Sequence, residues 1–194
     1  ATSLPARKAR AHMGSSGLPH FFTDVRIVGT DGEPLPAGQD GEIEIAGPNV
    51  SREYWLRPDA TRDSHHGEWF RSGDIGRVDA DGYLTISDRL KDLIISGGEN
   101  IYPAEVEQLI MERPEIESVA VIGVADERWG EVPLAVAVAR SEITADDVLA
   151  HLAGRIAKYK IPRAVVFVDE LPRTASGKVR KTELRGRYTL ADAG

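Results

Sequence analysis

Lys178 is placed openly for chemistry. It closes the run Pro172-Arg173-Thr174-Ala175-Ser176-Gly177-Lys178, a loop of small residues, and Arg180 and Lys181 follow it. A lysine presented in this way can reach a phosphate. The run is not a Walker A loop, because position 172 is Pro rather than Gly and Val179 stands where Ser or Thr is needed. Spacing alone leaves two readings open, a solvated basic loop and an anion-binding lysine. Asp74 ends the run Phe70-Arg71-Ser72-Gly73-Asp74. Its two oxygens suit a pair of adjacent sugar hydroxyls, and an Asp that caps a turn has the same signature. The turn Ser96-Gly97-Gly98-Glu99-Asn100 either lets a ligand approach the backbone or is an ordinary glycine turn. Trp129 before Gly130 is either an exposed recognition group or packed under a loop. His65-His66 resembles a metal pair only superficially, since adjacent residues point apart and no third ligand lies at useful spacing; a surface loop and no metal site are expected.

The elements that must hold these residues fall into two textures. From Phe21 to about Ser87, short alternating runs are broken by Gly, Asp and Pro, the pattern of a small antiparallel barrel or sheet. Strands are expected at Phe22–Val28 and Glu42–Ala46, and a hairpin joins Ile75–Asp79 to Tyr83–Ser87 through Ala80-Asp81-Gly82. After Asp88-Arg89-Leu90-Lys91-Asp92 strands alternate with helices. Leu93–Ser96 predicts a strand, and a helix starts near Pro103 with Val106, Leu109 and Ile110 on one face. Buried strands follow at Val119–Val124, Leu134–Ala139 and Ala164–Val168. Between the last two, Thr144 with Asp147 predicts a capped helix burying Val148, Leu152 and Ile156. Residues 173–187 give a Gly/Ser turn and a basic segment. The fold class expected is α+β: a small antiparallel β-barrel-like subdomain, then a two-layer α/β domain.

Composition narrows the partners. The 194 residues are 41% hydrophobic and 28% charged, close to the globular average, which excludes disordered and collagen-like chains. No apolar run approaches the roughly 18 residues of a membrane helix. With no cysteine there is no disulfide, thiolate metal site or cysteine nucleophile. An intracellular, cytoplasmic protein fits best, with peripheral contact at the membrane left open. The net charge of −7 hides a segregation. Residues 1–17 carry +3 and residues 154–187 carry +7, which with Asp192 leaves −16 on residues 18–153. A nucleic-acid partner is not expected, since the basic residues lack interleaved aromatics and the body is acidic.

The order of these features is more specific than any one of them. Gly41 to Gly47 with Tyr54-Trp55, Trp69 to Asp74, Asp88 to Glu107, Lys158-Tyr159-Lys160-Ile161-Pro162 and Pro172 to Lys178 together resemble the later motifs of the acyl-adenylate-forming enzymes. These are the acyl-CoA synthetases, luciferases and peptide-synthetase adenylation domains. The resemblance covers residues 17–185. Through Phe22-Thr23-Asp24-Val25 and Asp126 to Glu131 the chain is most similar to a bacterial fatty-acyl-CoA synthetase.

The resemblance implies a ligase that joins a fatty acid to AMP from ATP, releases pyrophosphate and passes the acyl group to coenzyme A. It carries Asp74 over as the acceptor for both ribose hydroxyls, with Arg89 assisting at the ribose or phosphate, and Lys178 as the lysine that bridges the attacking carboxylate and the α-phosphate. Gly97 and Gly98 would line the pantetheine channel, and Asp88 to Lys91 would be the hinge of a C-terminal domain that swings between the two half-reactions. The expected division is 1–17, a remnant of the upstream nucleotide-binding domain; 18–87, a β-rich subdomain of the large N-terminal domain; 88–92, the hinge; and 93–194, the mobile domain. The phosphate loop and the Tyr-Gly-x-Thr-Glu segment whose glutamate holds Mg2+ in the family are not in this sequence. They are expected upstream, in an N-terminal domain that is the chain's partner. Residues 1–194 are therefore expected to be the C-terminal part of a ligase, unable to adenylate alone. The alternatives are an adenylation domain that loads a carrier protein and a non-catalytic binding module of the same fold.

Overall fold

The computed structural model describes residues 1–193. The chain divides into two compact units, Ala1–Lys91 and Asp92–Gly194.

The first unit opens with β1 (Thr2–Ser3) paired to β2 (Leu18–Pro19). Its main sheet is antiparallel, built from β3 (Asp24–Val28), β4 (Gly41–Ala46), β5 (His65–His66), β6 (Trp69–Val78) and β7 (Leu84–Arg89), with α1 (Pro58–Asp63) ahead of β5. β4 lies between β3 and β6, and β5 and β7 share the other edge of β6. Among the described residues β3 and β7 form no ladder with each other. The core is small: Ile27, Ile43 and Leu84, with Val25, Leu35, Ile45 and Val78 around them. The hairpin expected at Ala80-Asp81-Gly82 is present, and Gly82 supplies its positive φ of 86° while Asp79 Oδ1 accepts from the Asp81 and Tyr83 amides. Two expectations change. β3 starts at Asp24 rather than Phe22, because Phe22 sits at φ 66° and the Thr23 amide turns back onto the His20 carbonyl. His65 and His66 form a short strand rather than a loop, and His66 approaches the buried Glu44 at 3.4 Å. Glu44 tolerates burial because Arg26, opposite it on β3, donates to it at 2.7 Å.

The second unit begins with a hairpin of β8 (Ile94–Ser96) and β9 (Glu99–Ile101), then α2 (Pro103–Ile110), β10 (Ile116–Asp126), β11 (Gly130–Ala139), α3 (Ala145–Leu152), β12 (Ala164–Phe167) and α4 (Lys181–Arg187). β11 is central. It pairs with β10 along its length, with β12 in parallel, and with β8 at Gly130. β10 and β11 run almost uninterruptedly apolar because both sheet faces are covered. On one face Val119, Val121, Ala135 and Ala137 meet Val106 and Ile110 of α2 and Val148 and Leu152 of α3. On the other, Ile122, Val124, Leu134 and Val136 meet Leu171, Leu184 and Tyr188.

Residues 173–187, expected as a Gly/Ser turn and a basic segment, end in α4. Seven residues with Gly186 inside are too few to hold a helix by propensity, so packing of Leu184 makes it. α3 also stops earlier than expected. Ala153 is extended and Gly154 takes φ 78°, so Ile156 reaches the first core from a loop rather than from the helix. No helix among the described residues is long and apolar enough to cross a membrane.

The α3 start carries a pH dependence. Thr144 and Asp147 form a full capping box, and the Thr144 hydroxyl, then its amide, hold the Asp147 carboxyl below the usual carboxylate range. A depressed native pKa contributes stability above the unfolded value, and that contribution is lost as pH falls through the folded value. Thr144→Ala is therefore expected to unfold at lower urea than the parent near neutral pH. The gap should shrink well below the carboxylate range. A gap that is constant across pH would remove Asp147 from the effect.

Candidate functional site

Asp74 owes its position to a bulge. Glu42 faces Ile75 across β4 and β6, yet Glu44 faces Arg71, so Ser72, Gly73 and Asp74 on β6 stand against Ile43 alone and β6 carries two surplus residues. Gly73 absorbs the bend at φ 69°, where a side chain would be strained. Ser72 Oγ pins it by donating to the Ile43 carbonyl at 2.7 Å and accepting from the Asp74 amide at 3.1 Å. β-bulges re-aim side chains in this way. Asp74 is thereby set opposite Arg89 on β7, and Arg89 Nε lies 2.8 Å from Asp74 Oδ1. The Asp74 side chain remains 24% exposed, so its other lone pairs can meet a ligand. Asp74 and Arg89 thus form one ion pair. Asp88 is half-buried one position earlier, and Lys91 is exposed at the end of the unit.

Lys178 and the glycine turn belong to the second unit and sit far apart on it. Its loop is closed on itself. The Thr174 amide donates to the Lys178 carbonyl at 2.8 Å, the Gly177 amide to the Thr174 carbonyl at 2.9 Å, and the Lys178 amide to Thr174 Oγ1 at 3.1 Å. Thr174 therefore organises the loop, and the Lys178 side chain is exposed with no ion-pair partner among the described residues. The base of the loop, Pro172 and Arg173, lies beside Glu117 and Val138.

Gly97 and Gly98 form the two-residue turn between β8 and β9, both left-handed at φ 59° and 88°. The Gly97 amide donates to the Trp129 carbonyl at 2.8 Å, and a Cβ on Gly97 would lie 2.6 Å from the Trp129 ring. Trp129 is 41% exposed and Arg128 stacks on it. It therefore both packs against the glycine turn and shows a face to solvent, which joins the two readings of it. Trp129 closes the turn end of the β10–β11 hairpin, whereas Glu117 and Val138 mark its open end. At about 3.3 Å per residue the lysine loop and the glycine turn are roughly 25 Å apart along the strands.

The unit thus presents the exposed Lys178 ammonium at one end and a glycine turn packed beside Trp129 at the other. An exposed ammonium can neutralise an anion, and a turn without side chains lets a ligand approach the backbone. The first unit's Asp74–Arg89 pair adds acceptors for hydroxyls. No group of three or more His, Cys, Asp or Glu able to hold a metal ion occurs among the described residues.

Comparison with known proteins gives the family. The family described as AMP-binding enzyme C-terminal domain matches residues 105–178, and AMP-binding enzyme matches residues 1–55. Feruloyl-CoA synthase of Amycolatopsis is 55% identical over 185 residues, covering 92% of this chain and 38% of that protein. A long-chain-fatty-acid–CoA ligase of Mycobacterium tuberculosis is 46% identical over 189 residues, covering 97% of this chain and 37% of that protein. Among solved structures, o-succinylbenzoate CoA synthetase of Bacillus subtilis in complex with its acyl-adenylate intermediate superimposes with a TM-score of 0.91 at 38% identity, covering 97% of this chain and 39% of that one. The chain belongs to the acyl-adenylate-forming superfamily, and it spans a little over a third of the length of the relatives it matches.

Neither the bulge at Ser72 to Asp74 nor the contact between Trp129 and Gly97 could be read from local sequence. The first depends on strand register and the second on two hairpins meeting.

Proposed function

We propose that this chain is the C-terminal part of an ATP-dependent acid–CoA ligase, acting with an N-terminal domain of the same protein on a carboxylic acid, ATP and coenzyme A. The observation that carries the reading is the separation of the free Lys178 from the Gly97–Gly98 turn on one rigid unit. Two half-reactions that use the two ends in turn account for both. In the first, the Lys178 ammonium neutralises charge as the carboxylate attacks the α-phosphate, a role that suits a preorganised, otherwise unpaired cation. In the second, the glycine turn gives the pantetheine arm a passage beside Trp129. Asp88 to Lys91 is the hinge between them, and the change is absorbed in those few residues while the units stay rigid.

Asp74 accepts from the ribose hydroxyls, and Arg89 holds its carboxylate while facing the phosphate side. Mg2+, which offsets phosphate charge when ATP is bound, would take its ligand from outside the described residues. For the acid, a fatty acid is the narrower reading, drawn from Phe22 to Val25 and Asp126 to Glu131. An aryl acid is equally consistent with the feruloyl and succinylbenzoate relatives.

The test is pyrophosphate exchange and thioester formation by the full-length protein, across fatty and hydroxycinnamic acids, with coenzyme A or a carrier protein as acceptor. Exchange and acyl-CoA formation are expected, with none from residues 1–194 alone. Normal exchange by the isolated 194 residues, or transfer to the carrier protein only, would overturn the reading. Asp74→Ala is expected to weaken ATP binding on the order of ten- to a hundredfold, since a hydrogen bond to a charged group contributes roughly 1.5 to 3 kcal/mol. Calorimetric titration with ATP checks this, and an unchanged affinity takes Asp74 out of the site.

A further inference from the structure

The Lys178 side chain has no ion-pair partner among the described residues, so its place must come from what holds its loop. The loop is continuous with α4, since the Arg180 amide donates to the Pro172 carbonyl at 2.8 Å and Arg173 pairs with Val179. α4 in turn is held by three side chains that face inward. Leu184 is buried in the second core. Lys181 Nζ lies 2.7 Å from Glu107 Oε1 on α2, and the same oxygen accepts from the Val121 amide at 2.8 Å. Arg185 donates to Asp92 Oδ1 at 2.9 Å, across 93 positions of sequence.

These two ion pairs differ from the others on the helix. Their side chains are 13% to 29% exposed, whereas Arg180 and Arg187, which pair with Glu183, are more than half exposed. Surface pairs of the second kind contribute little. Partly buried pairs fix geometry, because removing one partner strands the other charge away from water. Glu107 is doubly engaged, with the amide of an edge strand and with the lysine, so it sets α4 against the sheet. Asp92 is the first residue of the second unit and directly follows Lys91.

We propose that Asp92 and Glu107 are positioning residues for Lys178: through Arg185 and Lys181 they fix α4, and α4 fixes the loop that presents the lysine. The inference deepens the reading of Lys178 given above and rests on it. A consequence is that the segment where the hinge ends and the loop that adenylates are joined by one ion pair. Movement at Asp92 is felt at α4 without passing through the sheet.

The experiment uses the full-length protein with Asp92→Ala, Glu107→Gln, the swap Asp92→Arg with Arg185→Asp, and Arg187→Ala as a control on an exposed pair. The two half-reactions are measured separately, alongside hydrogen exchange at Gly177 and Lys178. Asp92→Ala and Glu107→Gln are expected to lower the adenylation kcat by up to about a hundredfold, the cost of a reacting group displaced by ~1 Å. KM for ATP, and thioester formation from supplied acyl-adenylate, should stay unchanged. The swap should recover most of the loss, Arg187→Ala should lose nothing, and exchange at the two loop amides should quicken in the two single variants. An equal fall in both half-reactions, a swap that recovers nothing, or unaltered loop exchange would overturn the proposal. If Lys178→Ala itself leaves adenylation intact, the reading of Lys178 fails, and the loop exchange still reports whether the two acids anchor it.

Discussion

Lys178→Ala in the full-length protein is expected to lower acyl-adenylate formation by on the order of a hundred- to a thousandfold, the loss typical of one preorganised charge donor at a developing anion. Thioester formation from supplied acyl-adenylate should survive. The asymmetry is the content of the prediction, and the structure explains why the variant isolates it. The loop is closed by backbone amides and by Thr174 Oγ1, none of which belongs to the lysine side chain. The exposed ammonium takes no part in packing, so removing it should leave stability and α4 unchanged. Lys178→Arg should recover little, because a planar fork cannot replace a compact ammonium between two oxygens. Rapid-quench measurement of each half-reaction decides the matter. Equal loss of both would make Lys178 a general binding residue, and no loss would make the loop a solvated basic turn.

The fold was legible wherever pattern is local. The apolar runs of β10 and β11, the Thr144–Asp147 cap, the Gly82 hairpin and the Gly97–Gly98 turn follow from residue spacing, and each lies where its spacing puts it. The end of α3 and the whole of α4 were not legible. α4 has no capping side chain, and its one apolar anchor, Leu184, gains meaning only from the sheet face it covers. The site divides in the same way. The order of motifs is enough to single out Lys178, Asp74, Arg89, Gly97 and Gly98 as candidates. What holds them could not be read in this way. The Ser72 to Asp74 bulge comes from a register jump, the Arg185–Asp92 pair spans almost half the chain, and Trp129 meets Gly97 only after two hairpins have formed. Long-range partners leave no trace in spacing.

Gly97→Ala is expected to have the opposite signature to Lys178→Ala: adenylation retained and thioester formation lowered by on the order of a hundredfold, the cost of misplacing a passage by ~1 Å. Two penalties meet at this position. A non-glycine residue at φ 59° costs of order 1–3 kcal/mol when the surrounding structure enforces it. The added Cβ would also stand 2.6 Å from Trp129 Cε3, far inside van der Waals contact, so the indole must move or the turn must open.

Gly98→Ala separates the two penalties. Gly98 is left-handed at φ 88°, yet a Cβ there meets nothing within 4 Å. It should show the conformational cost alone, as a small loss of stability, with thioester formation lowered less than in Gly97→Ala. Adding Trp129→Ala to Gly97→Ala relieves the clash while leaving the strain, and should restore the stability lost to it. Restoration of thioester formation as well would mean that the indole matters only as an obstacle. Continued loss would mean that its exposed face helps to guide the arm of coenzyme A. Adenylation that falls in step with thioester formation in Gly97→Ala would sink the division of labour, because the turn lies at the end of the β10–β11 hairpin away from the base of the Lys178 loop.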